Sequence, residues 1–388
     1  MAYFDHNATA PLCPEARAAW LDAAGSFAHN PSGLHAGATR ARDLLERCRD
    51  SLAGLLGCDD VRRIVFTSGA TAANNLLARH LARTSPAGAF VVLSPLEHPS
   101  VDASFRAAFP GRVVEADVDR DGVVGAAALA SVLESLAGAD VAGVSVMAAS
   151  NESGVLEPWD SLARECRDRG VAFHTDAAQW LGKLPAAGLA ACDWVTGSGH
   201  KFGGPRGVGF LLVPEGGGFR GDLGGPQEGG RHAGTENLPG IAGMVAALEA
   251  RERDMAGTVA RGTSLRDAAI GALRRTLPGA TVVSGGADRL WNTLAVLVPG
   301  ADSRKLVAAL DRAGIEASSG SACSAGAASA SRVVAAIGPR LGLAPGAPIG
   351  MVRLSSGPET GEAEWLAAIS ALGAAAGGGA PPPRVELH

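Results

Sequence analysis

Short apolar runs alternate with amphipathic segments along the first half of the chain. Seven runs predict strands: Ile64–Thr67, Phe90–Leu93, Arg112–Glu115, Val141–Met147, Val171–Thr175, Trp194–Ser198 and Gly209–Val213. Most are separated by stretches with helical spacing, at residues 72–83, 126–136 and 159–169. Strands that alternate with helices form parallel sheets covered by helices. The pattern therefore predicts an α/β domain with a seven-stranded, mainly parallel sheet.

The pattern changes in the second half of the chain. A long helical pattern over residues 238–277 is followed by predicted strands at 281–283, 293–298 and 352–355 and by a helix near 303–313. This order predicts a smaller α+β domain. We place the large domain at residues 15–255 and the small domain at 1–14 plus 256–373. Residues 374–388, rich in Gly, Ala and Pro, are expected to form a flexible tail.

Polar residues follow five of the seven predicted strands. They are Ser68-Gly69-Ala70-Thr71, Glu97-His98, Ser150-Asn151-Glu152, Asp176-Ala177-Ala178-Gln179 and Ser198-Gly199-His200-Lys201. In open α/β sheets, ligands bind at the carboxyl ends of the strands. We therefore expect these five segments to form one shared site.

Composition narrows the class of protein. The chain has 388 residues, of which 47% are apolar and 19% charged, with a net charge of −5. These values exclude disordered, collagenous and histone-like proteins, and no basic stripe indicates binding to nucleic acid. No apolar run reaches the roughly 18 residues of a membrane span, and the first residues lack the features of a signal peptide. We expect a soluble, cytoplasmic protein with no membrane partner.

The cysteines and lysines of the chain are candidates for chemistry as single residues and not as pairs or clusters. The six cysteines include no CxxC pair, which argues against a disulfide framework and a zinc site, so we expect no metal. Only three of the 34 basic residues are lysines: Lys183, Lys201 and Lys305. A lysine inside a motif of this chain is therefore a candidate for chemistry.

Three of the polar segments are compatible with one cofactor. The loop at Ser68 can bind phosphate at a helix start or be a simple helix cap. Asp176 can cap a helix or pair with a protonated ring nitrogen. Lys201 can be a surface lysine or a Schiff-base lysine. Together, a phosphate loop, an aspartate and a lysine are what pyridoxal 5'-phosphate requires of a protein.

Nine segments carry a resemblance to a known family. They are Tyr3–Thr9, Phe66–Thr71, Glu97-His98, Asn151–Gly154, His174–Gln179, Ser198–Lys201, Arg231–Asn237, Ser318–Cys323 and Arg353–Ser355. In this order they resemble the cysteine desulfurases of the nitrogen-fixation and iron–sulfur-cluster type, in the class V aminotransferase group. The resemblance implies the fold of the fold-type I enzymes that depend on pyridoxal phosphate, and a homodimer.

The resemblance also implies residue roles. Lys201 would bind the cofactor covalently and move protons at the substrate α-carbon, and His98 would stack on the ring and act as acid and base. Asp176 would pair with the pyridine nitrogen and Gln179 with the ring hydroxyl. The remaining implied ligands are Ala70, Thr71, Ser198 and His200 for the phosphate, Thr235 for the phosphate of the neighbouring subunit, and Asn151 and Arg353 for the substrate carboxylate.

Cys323 is the implied nucleophile. It lies among Ser, Gly and Ala residues, a composition typical of an exposed, mobile loop, whereas the other five cysteines are expected to be buried. The implied reaction converts L-cysteine to L-alanine and leaves a persulfide on Cys323 for a sulfur acceptor or scaffold protein. A class V aminotransferase or selenocysteine lyase would not need this thiol, and a non-catalytic sulfur carrier would not need Lys201.

Overall fold

The computed structural model describes residues 1–216, 218–222, 224–320, 331–343 and 349–377. The strands are β1 (Ala2–Tyr3), β2 (Ile64–Thr67), β3 (Phe90–Leu93), β4 (Val113–Glu115), β5 (Val141–Ser145), β6 (Phe173–Asp176), β7 (Trp194–Ser198), β8 (Gly209–Leu212), β9 (Thr281–Val282), β10 (Thr293–Pro299), β11 (Ile315–Glu316) and β12 (Ile349–Ser355). The helices are α1 (Pro14–Ser26), α2 (Ala36–Leu56), α3 (Ala70–Thr84), α4 (Pro99–Ala108), α5 (Ala126–Ser135), α6 (Trp159–Asp168), α7 (Gln227–Gly230), α8 (Leu238–Glu252), α9 (Met255–Thr276), α10 (Ser303–Arg312), α11 (Arg332–Ile337) and α12 (Glu362–Gly377).

A seven-stranded sheet forms the centre of the larger part. Its strand order is β2-β8-β7-β6-β5-β3-β4. Only β8 runs antiparallel to its neighbours β2 and β7, and the other pairs are parallel. The predicted seven-stranded, mainly parallel sheet is confirmed. Because β2, β6 and β7 lie close together in this order, the segments that follow them meet at one edge of the sheet.

Helices cover this sheet because their apolar residues recur at helical spacing. In α3, Ala73, Leu76, Leu77 and Leu81 are all buried. Each fully buried leucine contributes about 1.5–3 kcal/mol relative to an exposed one, so this face fixes α3 against the sheet. The start of α3 is thereby held at the end of β2.

A second core forms between a three-stranded antiparallel sheet, in the order β12-β10-β9, and the helices α9, α10 and α12. Phe4 and Trp365 pack edge to face in it, with ring centroids 4.8 Å apart. The predicted smaller α+β unit therefore has the expected elements, while the exact domain limits stay a prediction.

The limits of two elements in the second half differ from the predictions. The pattern over 238–277 is helical as predicted but forms two helices, because Asp254 leaves the helical region with φ −130° and ψ 40° between α8 and α9. The tail was expected from residue 374, but α12 continues to Gly377. Its apolar residues Ala371 and Leu372 pack in the second core and stabilise this last part of the helix. Residues 378–388 lie outside the described part. Among the described helices, none is both long and apolar enough to cross a membrane.

Candidate active site

A cavity of about 810 Å³ lies at the carboxyl ends of β2, β6 and β7. The predicted site residues that line it are Ala70, Thr71, His98, Asn151, Asp176, Gln179, Ser198, His200 and Lys201. The five strand-end segments therefore do converge on one site. Arg353 and Thr235 do not line this cavity, and Cys323 lies outside the described residues.

The start of α3 provides an anion site at one end of the cavity. Gly69 precedes the helix with φ +146°, a conformation that residues with a side chain rarely adopt. The first N–H groups of a helix have no intrahelical acceptor, and no acidic side chain occupies this first turn. A Cβ at Gly209 would lie 2.6 Å from the Gly69 Cα, so glycine at 209 allows the loop to approach β8. This end of the cavity fits a phosphate group.

Asp176 ends β6 and is held by two hydrogen bonds. Its Oδ1 accepts from the Ala178 N–H at 2.9 Å, and its Oδ2 accepts from Asn74 Nδ2 at 3.0 Å. Asn74 Nδ2 also donates to Ser100 Oγ at 2.9 Å. The carboxylate is only 6% exposed, yet it lines the cavity. Its two oxygens are therefore held in place at the cavity wall, suited to pairing with a protonated ring nitrogen.

His98 lies in the same hydrogen-bond network. Its Nδ1 accepts from the Ser100 N–H at 3.1 Å and lies 2.8 Å from Ser100 Oγ. Since a backbone N–H can only donate, the neutral ring carries its proton on Nε2. Burial lowers the pKa of His98, so the ring is uncharged at neutral pH. A neutral imidazole can both stack on a flat ring and exchange a proton through Nε2.

Lys201 follows β7 in a short 3-10 helix. Its Nζ donates to the carbonyl oxygens of Asn7 at 2.8 Å and Ala8 at 2.9 Å. The Asn7 carbonyl also accepts from Gln179 Nε2 at 2.9 Å. Asn7 thus orients two predicted site residues, a role that sequence reasoning missed. Its position in the matching segment 3–9 was the available signal.

His200 contacts the same N-terminal segment. Its Nδ1 lies 3.2 Å from Thr9 Oγ1. Burial, with a further contribution from the charge of Lys201, lowers the pKa of His200 to about 4. The ring is therefore neutral at pH 7 and can offer a hydrogen bond at the phosphate end of the cavity.

Arg353 lies on β12 behind the cavity wall. Its Nη1 donates to the Asn151 carbonyl at 2.9 Å and to the Gly320 carbonyl at 2.8 Å, and Nη2 pairs with Asp5. The residue is 1% exposed, and its buried Nε has no hydrogen-bond partner among the described residues. That Arg353 and Asn151 bind a substrate carboxylate stays a prediction.

The residues on either side of the Cys323 segment are tied to the wall near Asn151. Gly320 is held by Arg353, and Ser331 Oγ hydrogen-bonds Glu152. Thr235 lines a smaller cavity beside the main one, and Ser68 and Gly207 border both. Its predicted role toward a neighbouring subunit stays a prediction.

Comparison with known proteins assigns the family. The model of the class V aminotransferase family matches residues 2–364. The chain belongs to this family. A cysteine desulfurase of Klebsiella pneumoniae is 37% identical over 342 residues, which cover 86% of this chain and 83% of that protein. A cysteine desulfurase of Rhodobacter capsulatus is 36% identical over 95% of both chains. The family resemblance predicted from the motifs is confirmed.

Solved structures agree with this assignment. A NifS-like protein superposes on this class V chain with a TM-score of 0.84 at 28% identity, covering 96% of this chain and 98% of its own. A second NifS-like protein, from Rickettsia africae, has a TM-score of 0.83 at 26% identity over 97% and 99% of the two chains. The predicted fold class is therefore confirmed as well.

Proposed function

We propose that this class V chain is a cysteine desulfurase that converts L-cysteine to L-alanine and takes the sulfur on Cys323 as a persulfide. The observation that carries the proposal is the convergence of an anion site, a fixed carboxylate and a lysine amine in one cavity. The cysteine desulfurases among its relatives support the same reaction. One solved relative, described as SspA in complex with cysteine, supports L-cysteine as the substrate.

The cavity fits pyridoxal phosphate as its cofactor. The N-terminus of α3, with Ser198 and His200, would hold the phosphate, and the Asp176 carboxylate would keep the ring nitrogen protonated. His98 would stack on the ring, and Gln179 would donate a hydrogen bond to the ring hydroxyl. When bound, this cofactor supplies an electron sink for bonds at the substrate α-carbon.

The side chains of the cavity then divide the remaining tasks. Lys201 Nζ would bind the cofactor covalently and afterwards carry a proton to and from the α-carbon. His98 lines the cavity and would exchange the proton that its Nε2 carries. Asn151, which lines the cavity, and Arg353, which donates to the Asn151 carbonyl from behind the wall, are the residues proposed for the substrate carboxylate.

Sulfur transfer requires a thiolate that reaches the substrate. Five cysteines, namely Cys13, Cys48, Cys58, Cys166 and Cys192, are buried. Burial raises the pKa of Cys48 to about 11 and those of Cys166 and Cys192 to about 12, so these three stay protonated at neutral pH. Cys323 is the remaining cysteine, three residues after Gly320, and Gly320 is anchored beside Asn151.

The transfer balances without another reactant. The Cys323 thiolate attacks the substrate sulfur, an S–S bond forms, and the Cβ–S bond breaks with its electron pair left on carbon. Protonation of that carbon gives L-alanine, and Cys323 keeps the extra sulfur atom. The thiolate of a sulfur acceptor or scaffold protein for iron–sulfur clusters or other thio-cofactors would then attack the outer sulfur of the persulfide, and Cys323 would leave as its thiolate. We also propose a homodimer as the working form.

The test is incubation with L-cysteine while alanine and sulfide are measured together. Cys323→Ser should bind the cofactor but form almost no alanine, because serine cannot accept sulfur. Cys48→Ala, at a buried thiol, serves as the matched control and should keep wild-type turnover. Alkylation and mass spectrometry of the wild type should locate the extra sulfur on the peptide that contains Cys323. Full alanine production by Cys323→Ser, or sulfur mapped to another cysteine, would refute the proposal.

A further inference from the structure

Lys183 is a buried lysine beside the cavity that no step above uses. It is 4% exposed, and its Nζ donates to Gln179 Oε1 at 2.8 Å. Among the described residues, the charged groups that act on it are cations, Lys201 first and then Arg353 and Arg251. Desolvation and these charges hold the pKa of Lys183 well below its ordinary value. These described surroundings offer Lys183 no counter-charge, so an interaction other than an ion pair must account for its burial.

The hydrogen bonds of Gln179 supply that interaction. Its Nε2 donates to the Asn7 carbonyl at 2.9 Å, while its Oε1 accepts from Lys183. The Asn7 carbonyl can only accept a hydrogen bond, so it requires Nε2 on its side, and the Lys183 amine donates to Oε1 on the other side. In the reverse orientation Oε1 would face the Asn7 carbonyl oxygen without a donor, and the Lys183 N–H would lose its acceptor. Gln179 lines the cavity, and its Nε2 carries a second N–H beside the one that the Asn7 carbonyl accepts.

We infer that Lys183 is a positioning residue that holds the Gln179 amide with its N–H toward the ring hydroxyl of the cofactor. This inference rests on the proposed cofactor and deepens that assignment. A bonded amine also polarises the amide, which makes its N–H a better donor to an ionised ring oxygen. Lys183 thus acts on the cofactor through Gln179 and does not touch the reacting atoms.

The experiment is a double-mutant cycle of Lys183→Met and Gln179→Leu, read out by absorption of the cofactor-loaded protein and by pyridoxal phosphate affinity. Methionine fills the volume of the lysine stem without a donor. Lys183→Met should weaken cofactor binding about tenfold. It should also raise the pH midpoint of the yellow absorption band by about one pH unit, because the ionised ring oxygen loses its donor. In the Gln179→Leu background, the Lys183 substitution should change neither value further.

Two further variants complete the design. Lys305→Met changes an exposed lysine and should leave both values at wild type. Lys183→Gln keeps an N–H donor and should restore most of the affinity. If Lys183→Met does not fold, Lys183→Leu enters the same cycle, since it also removes the donor.

The outcomes separate this inference from the proposed function. A wild-type protein that takes up no pyridoxal phosphate would refute the cofactor assignment itself. A wild type that binds it, with a Lys183→Met variant unchanged in affinity and midpoint, would refute only the role of Lys183. An equal effect of Lys183→Met with and without Gln179 would mean that the lysine acts by another route, which also overturns the inference.

Discussion

At the scale of single residues, burial decides which groups carry charge. Glu157 is 3% exposed, and its Oε2 accepts from the Val124 N–H at 2.8 Å. Burial raises the pKa of Glu157 to about 8 from 4.5. Between these two values the folded chain binds a proton that the unfolded chain has lost. The free energy of unfolding therefore falls as the pH rises through this window.

This shift gives a prediction for Glu157→Gln. The amide keeps the acceptor for the Val124 N–H but cannot ionise, so the variant should lack the part of the stability loss that Glu157 causes between about pH 5 and pH 8. The wild type should lose roughly 2–4 kcal/mol more than the variant over that window. Denaturant unfolding at both pH values measures the difference. Parallel pH profiles of the two proteins would contradict the assigned pKa.

The sequence predicts which polar residues follow the strands, but not which residues far along the chain form hydrogen bonds with them. Asp176 and Lys201 were predictable because Asp176 ends β6 and Lys201 directly follows β7, and both strands have a recognisable pattern. Asn7 lies 194 positions from Lys201 and bonds it through a backbone carbonyl, which no residue type reveals. The pairing of Arg353 with Asp5 likewise depends on how the chain ends meet. The sequence distinguishes Lys183 only as one of three lysines.

At the scale of elements, a buried ion pair between Glu228 and Arg49 ties α7, which precedes Thr235 in the chain, to the central sheet. Glu228 accepts from Arg49 Nη1 at 2.8 Å and Nη2 at 3.0 Å, and from the Phe66 N–H on β2 at 3.0 Å. Glu228 itself has φ +49°, a conformation unusual for a residue with a side chain. The pair therefore fixes a strained turn of α7 next to the phosphate loop.

Glu228→Gln should be strongly destabilising. It removes the buried counter-charge of Arg49 and leaves only the exposed Glu46 carboxylate at 3.2 Å, a loss of about 3 kcal/mol. Thermal or denaturant unfolding of the cofactor-free protein measures it. The matched control is Asp160→Asn, which breaks the exposed pair with Arg164 and should leave stability unchanged. Equal stability of the two variants would show that the buried pair contributes nothing.

Element boundaries were predictable where periodicity changes and not where it continues. The strand β7 was predicted to the residue because apolar residues stop at a polar segment. The break between α8 and α9 was missed because apolar spacing continues across Arg253 and Asp254, and only the backbone of Asp254 interrupts it.

At the scale of the whole molecule, the N-terminal segment joins the two cores. β1 pairs with β11, Asp5 bridges to Ser355 of β12, and Asn7 and Ala8 reach Lys201. Residues 2–8 thus connect β11 and β12 to the cavity. Movement of the smaller unit would act directly on the lysine amine.

The proposed homodimer can be tested through Thr235, the residue expected to reach the neighbouring subunit. Thr235 lies outside the main cavity of its own chain, in a smaller cavity that Ser68 and Gly207 also border. If it binds the phosphate of the neighbouring subunit, each site combines Lys201 of one chain with Thr235 of the other. A protomer with Lys201→Ala and a protomer with Thr235→Ala should then complement each other.

Differently tagged copies of these two variants, purified as a mixed dimer, test this arrangement. One site of the mixed dimer has both residues intact and the other lacks both, so alanine production at limiting pyridoxal phosphate should reach about half that of the wild type. Each parent dimer should stay far below this value, because every one of its sites lacks one residue. If Thr235 acted within its own chain, every site of the mixed dimer would also lack one residue. Activity no higher than the mean of the parents would then place Thr235 in the site of its own chain.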